Sequence, residues 1–189
     1  MSRTIAVYPG SFDPIHNGHL DIIERCVPTF DEVVVAVLYN EQKRPLFPAE
    51  ERVEMIRELL ADKTRCRVES FSGLLVDFMD HLGARTVVRG LRAVSDFETE
   101  FQMALMNRRL NPRVETMFMM PREDYSYLSS RLVKEVYALG GGVDGLVPPS
   151  VIERLGRAME RRSGLRVASP AGGPEPGRVE PGAGGEGEA

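Results

Sequence analysis

Thr4-Ile-Ala-Val-Tyr-Pro-Gly-Ser-Phe-Asp-Pro-Ile-His-Asn-Gly-His19 opens the first patterned segment of the chain. Thr4 to Tyr8 is short, apolar and halted by Pro9-Gly10, which predicts a buried strand. From Gly18 to Cys26, the residues Leu20, Ile22, Ile23 and Cys26 recur at helical spacing, with Asn17 as the expected N-cap. A buried strand turning tightly into a helix begins a β-α-β crossover. The turn contains neither the Gly-Lys-Ser/Thr of a Walker A loop nor GxGxxG, so nothing supports a nicotinamide or flavin dinucleotide site.

The alternation continues along the chain. Val33-Val-Val-Ala-Val-Leu-Tyr39 reads as a strand apolar on both faces, as strands of a covered parallel sheet are. Pro48 to Leu60 starts with Pro and two glutamates and keeps Val53, Ile56, Leu59 and Leu60 on one face of a helix. Arg67 to Phe71 is a weak strand, Leu74 to Leu82 a helix closed by Gly83, and Thr86 to Val88 a strand. Asp96 to Leu110 predicts a long helix stopped by Asn111-Pro112, and Val114 to Met120 a fifth strand. Helices over Arg131 to Leu139 and Pro149 to Arg161 complete the pattern. The fold class expected is α/β, a doubly wound five-stranded parallel sheet with helices on both faces. Met117-Phe-Met-Met120 reads as a core strand rather than a cofactor box, and Met103 and Met106, three apart on the long helix, as packing residues.

The 189 residues include 24 Lys+Arg and 28 Asp+Glu, a net charge of -4, without the basic excess of a nucleic-acid wrapper. At 42% apolar and 28% charged, the composition is that of an ordinary globular protein. Cys26 and Cys66 form no CxxC pair, which disfavours a disulfide framework or structural zinc and suits a cytoplasmic setting. The amino terminus has no signal-peptide pattern, and the longest apolar run is too short for a membrane span. From Ser163 to Ala189, 27 residues hold 8 of the 18 Gly and 4 of the 13 Pro. Such a segment has little to bury against the entropy of ordering its backbone. Residues 1–162 are therefore expected to fold and 163–189 to form a disordered tail.

Open parallel sheets bind ligands beyond the carboxyl ends of their strands, and polar clusters stand at four of those ends. After the first strand, His16 and His19 are three apart, and His19 falls in the first helical turn, where free N–H groups attract phosphate. Zinc is the other use of two histidines, but no third ligand lies nearby, and no metal site is assigned. Lys43-Arg44 follows the second strand, and Arg89-Gly-Leu-Arg92 the fourth, with two arginines suited to anions. Tyr125-Ser-Tyr-Leu-Ser-Ser-Arg131 follows the fifth, with Ser130 as the expected N-cap of the next helix. Together they point to a polyanion, most simply a nucleoside triphosphate plus a second phosphorylated compound.

Gly10-Ser-Phe-Asp-Pro-Ile-His-Asn-Gly-His19, Arg89-Gly-Leu-Arg-Ala-Val-Ser-Asp-Phe-Glu98 and Ser129-Ser-Arg-Leu-Val-Lys-Glu135 resemble the phosphopantetheine adenylyltransferases of bacterial coenzyme A synthesis. The resemblance runs from residue 4 to about 160, with the motifs in order. His-Asn-Gly-His alone marks the wider nucleotidyltransferase superfamily; the arginine block is specific to this member. The resemblance implies a Rossmann-like fold and transfer of AMP from ATP to 4'-phosphopantetheine, with Mg2+. It implies that Ser11 contacts both substrates, that Phe12 and His19 contact ATP, and that Lys43 and Arg89 hold the acceptor phosphate. Leu75 would line the pantetheine arm. Gly90, Leu91, Arg92 and Glu100 would bind ATP, with Tyr125, Ser126, Tyr127, Leu128, Ser129, Ser130 and Arg131 around its adenine and phosphates. The catalytic set implied is His19 at the α-phosphate, Lys43 on the attacking phosphate and Arg92 on the leaving group.

The resemblance further implies a homohexamer, a dimer of trimers, with coenzyme A as feedback inhibitor. Nucleic acid and membrane are not expected partners. Two positions depart from the family: Arg131 stands where a third serine or a threonine is usual, and Thr99 where some members carry an aromatic residue. The alternatives are a sibling nucleotidyltransferase acting on another phosphorylated acceptor and a non-catalytic nucleotide-binding module. The tail of 163–189 carries 4 Glu and 2 Arg, so the remaining chain is also near neutral at -2 and the positive charge of the site is local. Truncation after Arg162 is expected to leave turnover in a pyrophosphate-release assay unchanged. A large loss would give the tail a role.

Overall fold

The run Val33 to Val37 has no polar side chain and must be covered on both faces; all five residues are fully buried. In the computed structural model, which describes residues 3–39, 44–92 and 94–164, this run forms β2 (Glu32–Leu38). It pairs in parallel with β1 (Ile5–Gly10) on one side and β3 (Cys66–Phe71) on the other. β4 (Thr86–Gly90) takes the far side of β1, and β5 (Glu115–Met119) pairs with β4 at the edge. Among the described residues this is one five-stranded parallel sheet in the order β3-β2-β1-β4-β5, the architecture the alternation predicts.

The helices are α1 (Asn17–Cys26), α2 (Ala49–Leu59), α3 (Leu75–Leu82), α4 (Val94–Leu110), α5 (Ser130–Ala138) and α6 (Pro149–Gly164). Period-two alternation along β1 divides the core. Ala6 and Tyr8 join one cluster with Ile22, Ile56, Val133 and Leu155 of α1, α2, α5 and α6. Val7 joins the other with Val34, Val87 and the α3 residues Val76 and Met79. Glu50 and Glu51 occupy the first turn of α2, where they favour the dipole. Gly83 closes α3 at φ 66°, a left-handed conformation that costs glycine nothing.

Both expected N-caps move by one residue. His16, not Asn17, has the extended backbone of the α1 N-cap (φ -139°, ψ 169°). Asn17 is already helical, and its amide donates instead to Gly145 O at 2.7 Å. Ser129, not Ser130, caps α5, its hydroxyl accepting Leu132 N–H at 3.1 Å. Ser130 donates to Pro14 O at 2.7 Å. In each case a long-range partner takes the side chain assigned to the cap.

The methionine reading is also corrected. In β5 Met119 packs against the core, whereas Met117 of the same strand and Met120 just beyond it are exposed within the single chain. On α4, Phe97, Phe101, Met103, Leu105, Met106 and Leu110 are each 44–54% exposed within the single chain. Helix α6 runs on to Gly164, so Ser163 and Gly164 belong to the folded part; residues 165–189 of the expected tail lie outside the described residues.

Sheet order also sets how tightly α1 packs. A Cβ built on Gly90, at the end of β4, would lie 2.6 Å from Ile22 Cδ1 on α1, and Ile22 is buried. Gly90→Ala is expected to lower stability by about 1–3 kcal/mol through overpacking, read as a fall in Tm. An unchanged Tm would show that α1 yields there without cost.

Candidate active site

The connections from β1 run one way to β2 and β3, then reverse to β4 and β5. Beyond the carboxyl ends of β1 and β4 this reversal leaves the crevice where doubly wound folds hold ligands. The crevice is a cleft of about 320 Å3. Its floor comes from the turn after β1. Phe12 there adopts φ 46°, a left-handed conformation costing a non-glycine residue about 1–3 kcal/mol. Burial of its ring, edge-on to Tyr8 at 5.5 Å and to His19 at 5.0 Å between centroids, offsets that strain.

His16 and His19 stack at 3.5 Å between ring centroids with 22° between planes. The His16 backbone N–H donates to His19 Nδ1 at 3.2 Å. Nδ1 is therefore an acceptor, which assigns the ring proton of neutral His19 to Nε2. Both His16 ring nitrogens are buried with no hydrogen-bond partner among the described residues. Burial and the Arg92 guanidinium lower His16 to about 3. Burial, His16, Arg92 and Arg89 hold His19 well below the ordinary imidazole range. At neutral pH the site thus presents two uncharged imidazoles among arginines.

Arg89 leaves β4 toward the cleft. Its Nε and Nη2 donate to Glu100 at 2.6 and 2.5 Å, and Nη1 donates to Pro9 O at 2.7 Å, across the β1–β4 seam. This bidentate pair is internal, whereas the sequence pattern suggested an arginine waiting for an external anion. Among the described residues three of the five N–H groups are bonded, which leaves two to turn toward a ligand. Arg92 Nη1 donates to Leu128 O at 2.9 Å while its side chain lines the cleft.

Ser11, Phe12, His19, Arg89, Gly90, Arg92 and Glu100 all line the cleft. So do Tyr125, Ser129, Ser130 and Arg131 of the segment after β5. Leu75 lines an adjoining, mostly apolar cavity of about 280 Å3, which shares Arg89 and Glu100 with the cleft. Leu91, Ser126, Tyr127 and Leu128 do not line it. Leu128 is wholly buried, so it offers a ligand only backbone, and its carbonyl is engaged by Arg92. Ser126 Oγ turns back to Glu123 O at 2.8 Å, and Tyr127 is exposed. Arg131 pairs with Glu135 at 2.7 Å. Lys43 lies outside the described residues.

Sequence reasoning set His16 beside His19 but gave it no role, and it passed over Tyr8 and Asp21. Tyr8, at the end of a buried strand, reads as core, yet its ring lines the cleft. Asp21 is 6% exposed, accepts the Arg122 backbone N–H at 3.0 Å and forms an ion pair with the Arg122 guanidinium at 3.0 Å. Arg25 donates to Met120 O at 2.6 Å. These bonds hold the segment after β5 onto α1, and with it the Pro121 and Tyr125 wall. Their partners lie about a hundred residues apart in the chain, beyond any local pattern.

No group of three or more His, Cys, Asp or Glu among the described residues is placed to hold a metal ion. No helix of the described residues is long and apolar enough to cross a membrane. Cys26 and Cys66 are free thiols.

The lowered imidazoles bear on stability. Between the unfolded value near 6.5 and the folded value near 3, the unfolded chain binds the proton and the folded chain refuses it. Stability is therefore complete above about pH 6.5 and falls with acidification, by about 1.4 kcal/mol per pH unit for each such group. His16→Gln, which cannot titrate, is expected to flatten the slope of unfolding free energy between about pH 6 and 4.5, within the interval between the unfolded and folded values. An equal slope in both proteins would contradict a neutral buried His16.

The cytidylyltransferase-like family profile matches residues 7–136. A phosphopantetheine adenylyltransferase of Heliobacterium modesticaldum is 61% identical over 152 residues, covering 80% of this chain and 90% of the relative. One from Geotalea daltonii is 55% identical over 161 residues, covering 85% of this chain and the whole of the relative. A solved structure from Vibrio parahaemolyticus, assigned as a nicotinate-nucleotide adenylyltransferase, superposes with a TM-score of 0.63 over 82% of this chain and 99% of that one; at 17% identity it speaks for the fold alone. With its fold, its cleft and this likeness in agreement, the chain belongs to the phosphopantetheine adenylyltransferase family of cytidylyltransferase-like enzymes.

Proposed function

We propose that this chain transfers the adenylyl group of ATP to 4'-phosphopantetheine, giving dephospho-coenzyme A and pyrophosphate. The observation that carries the reading is the pairing of two compartments across Arg89–Glu100. One is a polar cleft with neutral His19 and Arg92, and the other an apolar cavity lined by Leu75. A nucleoside triphosphate suits the first, and a flexible, weakly polar arm ending in phosphate suits the second. Family membership supports the same substrates.

In this reading an oxygen of the acceptor phosphate forms a bond to the α-phosphorus of ATP while the α-to-β bridging bond breaks, in line. Pyrophosphate carries off the electron pair. The attacking phosphate is already ionised at neutral pH, so no general base removes a proton and no enzyme nucleophile is needed. The task left to the protein is to align two anions and stabilise developing charge. His19 Nε2–H donates to the α-phosphate without adding a charge beside Arg89 and Arg92. Lys43 and the free N–H groups of Arg89 hold the acceptor phosphate, and Arg92 faces the departing pyrophosphate. At 4 Å and an effective dielectric near 20, each cation–anion contact contributes about 4 kcal/mol before desolvation. Ser11 lies between the two substrates; Tyr125 to Arg131 border the nucleotide. No cluster of three or more acidic, His or Cys side chains among the described residues is placed to hold Mg2+, which would supply a counter-charge to the triphosphate when bound with it.

The reading extends to assembly and setting. The exposed apolar residues of α4 support a homo-oligomer, a hexamer in the family's manner, that covers them. Coenzyme A, which joins an adenine nucleotide to a pantetheine arm, fits both compartments as an inhibitor. The two free thiols suit a cytoplasmic enzyme.

A coupled pyrophosphate assay with ATP and 4'-phosphopantetheine is expected to show turnover, and none with nicotinamide mononucleotide or sugar phosphates. Turnover only with another acceptor would move the chain to a sibling activity, and ATP binding with no turnover would make it a binding module. His19→Ala is expected to lower kcat by about 100-fold or more with ATP binding retained. Near-normal kcat would remove His19 from the chemistry.

A further inference from the structure

Asp13 lies in the loop between β1 and α1, two residues beyond Ser11, and is 6% exposed. Three donors converge on its carboxylate. Oδ1 accepts Phe47 N–H at 2.9 Å, and Oδ2 accepts Leu46 N–H at 3.0 Å and the Lys134 ammonium at 2.6 Å. Only a group that accepts at both oxygens satisfies this arrangement; an amide would turn an NH2 onto a donor. Both oxygens are thus engaged by the protein, although Asp13 also borders the cavity that Lys134 shares with Ser11 and Arg131.

The two legs of this contact reach different elements. Leu46 and Phe47 lead into α2, whose Arg52 donates to Phe47 O, Ser11 O and Leu38 O. That ring closes around the Ser11–Asp13 backbone and holds the strained turn in place. Lys134 lies in α5, one helical turn beyond Ser130, which is itself bonded to Pro14 O at 2.7 Å. The residues at this end of α5, Ser129 to Arg131, line the cleft. Their first-turn N–H groups find no carbonyl within the helix, and the helix dipole there favours anions.

We infer that Asp13 and Lys134 are a positioning pair that fixes the phosphate-facing end of α5 against the β1–α1 loop and so sets the fit of the triphosphate. The inference rests on the adenylyltransferase reading above. A direct phosphate contact by Lys134 is the rival account, since Lys134 borders a cavity of about 270 Å3 shared with Ser11 and Arg131. The two accounts part in the double variant: a lysine acting through Asp13 has nothing further to lose once Asp13 is changed.

The test is steady-state pyrophosphate release by the full chain, with ATP and 4'-phosphopantetheine each varied, for Asp13→Asn, Lys134→Met, Lys134→Arg and Asp13→Asn/Lys134→Met. Lys134→Met is expected to raise the ATP KM about 10-fold with the acceptor KM within about twofold, as a small displacement at one substrate does. Asp13→Asn is expected to do at least as much, the double variant no more than Asp13→Asn, and Lys134→Arg to recover most of the loss. Additive losses in the double variant would overturn the inference in favour of direct contact. A lower Tm with both KM values unmoved would reduce the pair to a structural role and overturn it too. Should Asp13→Asn fail to fold, Lys134→Met decides alone, and an unmoved ATP KM sinks the proposal. Absence of turnover in the unsubstituted chain would remove the reaction first, an outcome distinct from active enzyme with unmoved variants.

Discussion

The burial of β1 on both faces, with β2 on one flank and β4 on the other, is the constraint on which the remaining structure depends. A strand so enclosed leaves its sheet only at its carboxyl end, and crossovers to its two neighbours run in opposite directions. The crevice at that end follows from topology. What the chain adds is a turn bent tightly enough to face it, with Phe12 in a left-handed conformation and its ring packed beneath His19. The site is therefore carried by the core, and packing secures its geometry as firmly as its hydrogen bonds do.

Electrostatics at the cleft follow from the same burial. Imidazoles withdrawn from water stay neutral first because burial strips the solvation a charge would need, and then because Arg92 beside both, with Arg89 beside His19, opposes a further positive charge. In the proposed reaction a neutral donor at the α-phosphate leaves the cations to offset repulsion between the substrates. The ion pair between Arg89 and Glu100 then has two effects. It spreads the arginine toward the β1–β4 seam, and it makes a polar partition between the nucleotide cleft and the apolar cavity. Asp13 and Asp21 brace the two ends of the cleft from behind, one toward α5 and the other toward the segment after β5.

Much of this was legible in the residues, and where legibility stopped there is a physical reason. Strand order aside, the five alternations, the Gly83 cap and the placement of chemistry at strand ends all follow from local pattern. The N-caps slipped by one residue, because Asn17 and Ser130 are claimed by carbonyls 128 and 116 residues away. Met103 and Met106 read as core because spacing reports an apolar face without saying which surface covers it. The motif around Leu128 implies a nucleotide contact, yet its side chain is core. The internal pairing of Arg89 with Glu100, like the roles of Asp13 and Asp21, was invisible to a reading that follows one segment at a time.

The central claim is that the site aligns two anions for a single direct displacement and lends no nucleophile of its own. The stereochemical course at the α-phosphorus tests it most directly, using ATP made chiral there by oxygen-isotope or sulfur substitution, with 4'-phosphopantetheine as acceptor. One in-line displacement inverts the configuration in the dephospho-coenzyme A product, and inversion is the result expected. Retention would require an adenylyl group carried on the protein between two displacements, and would contradict the account.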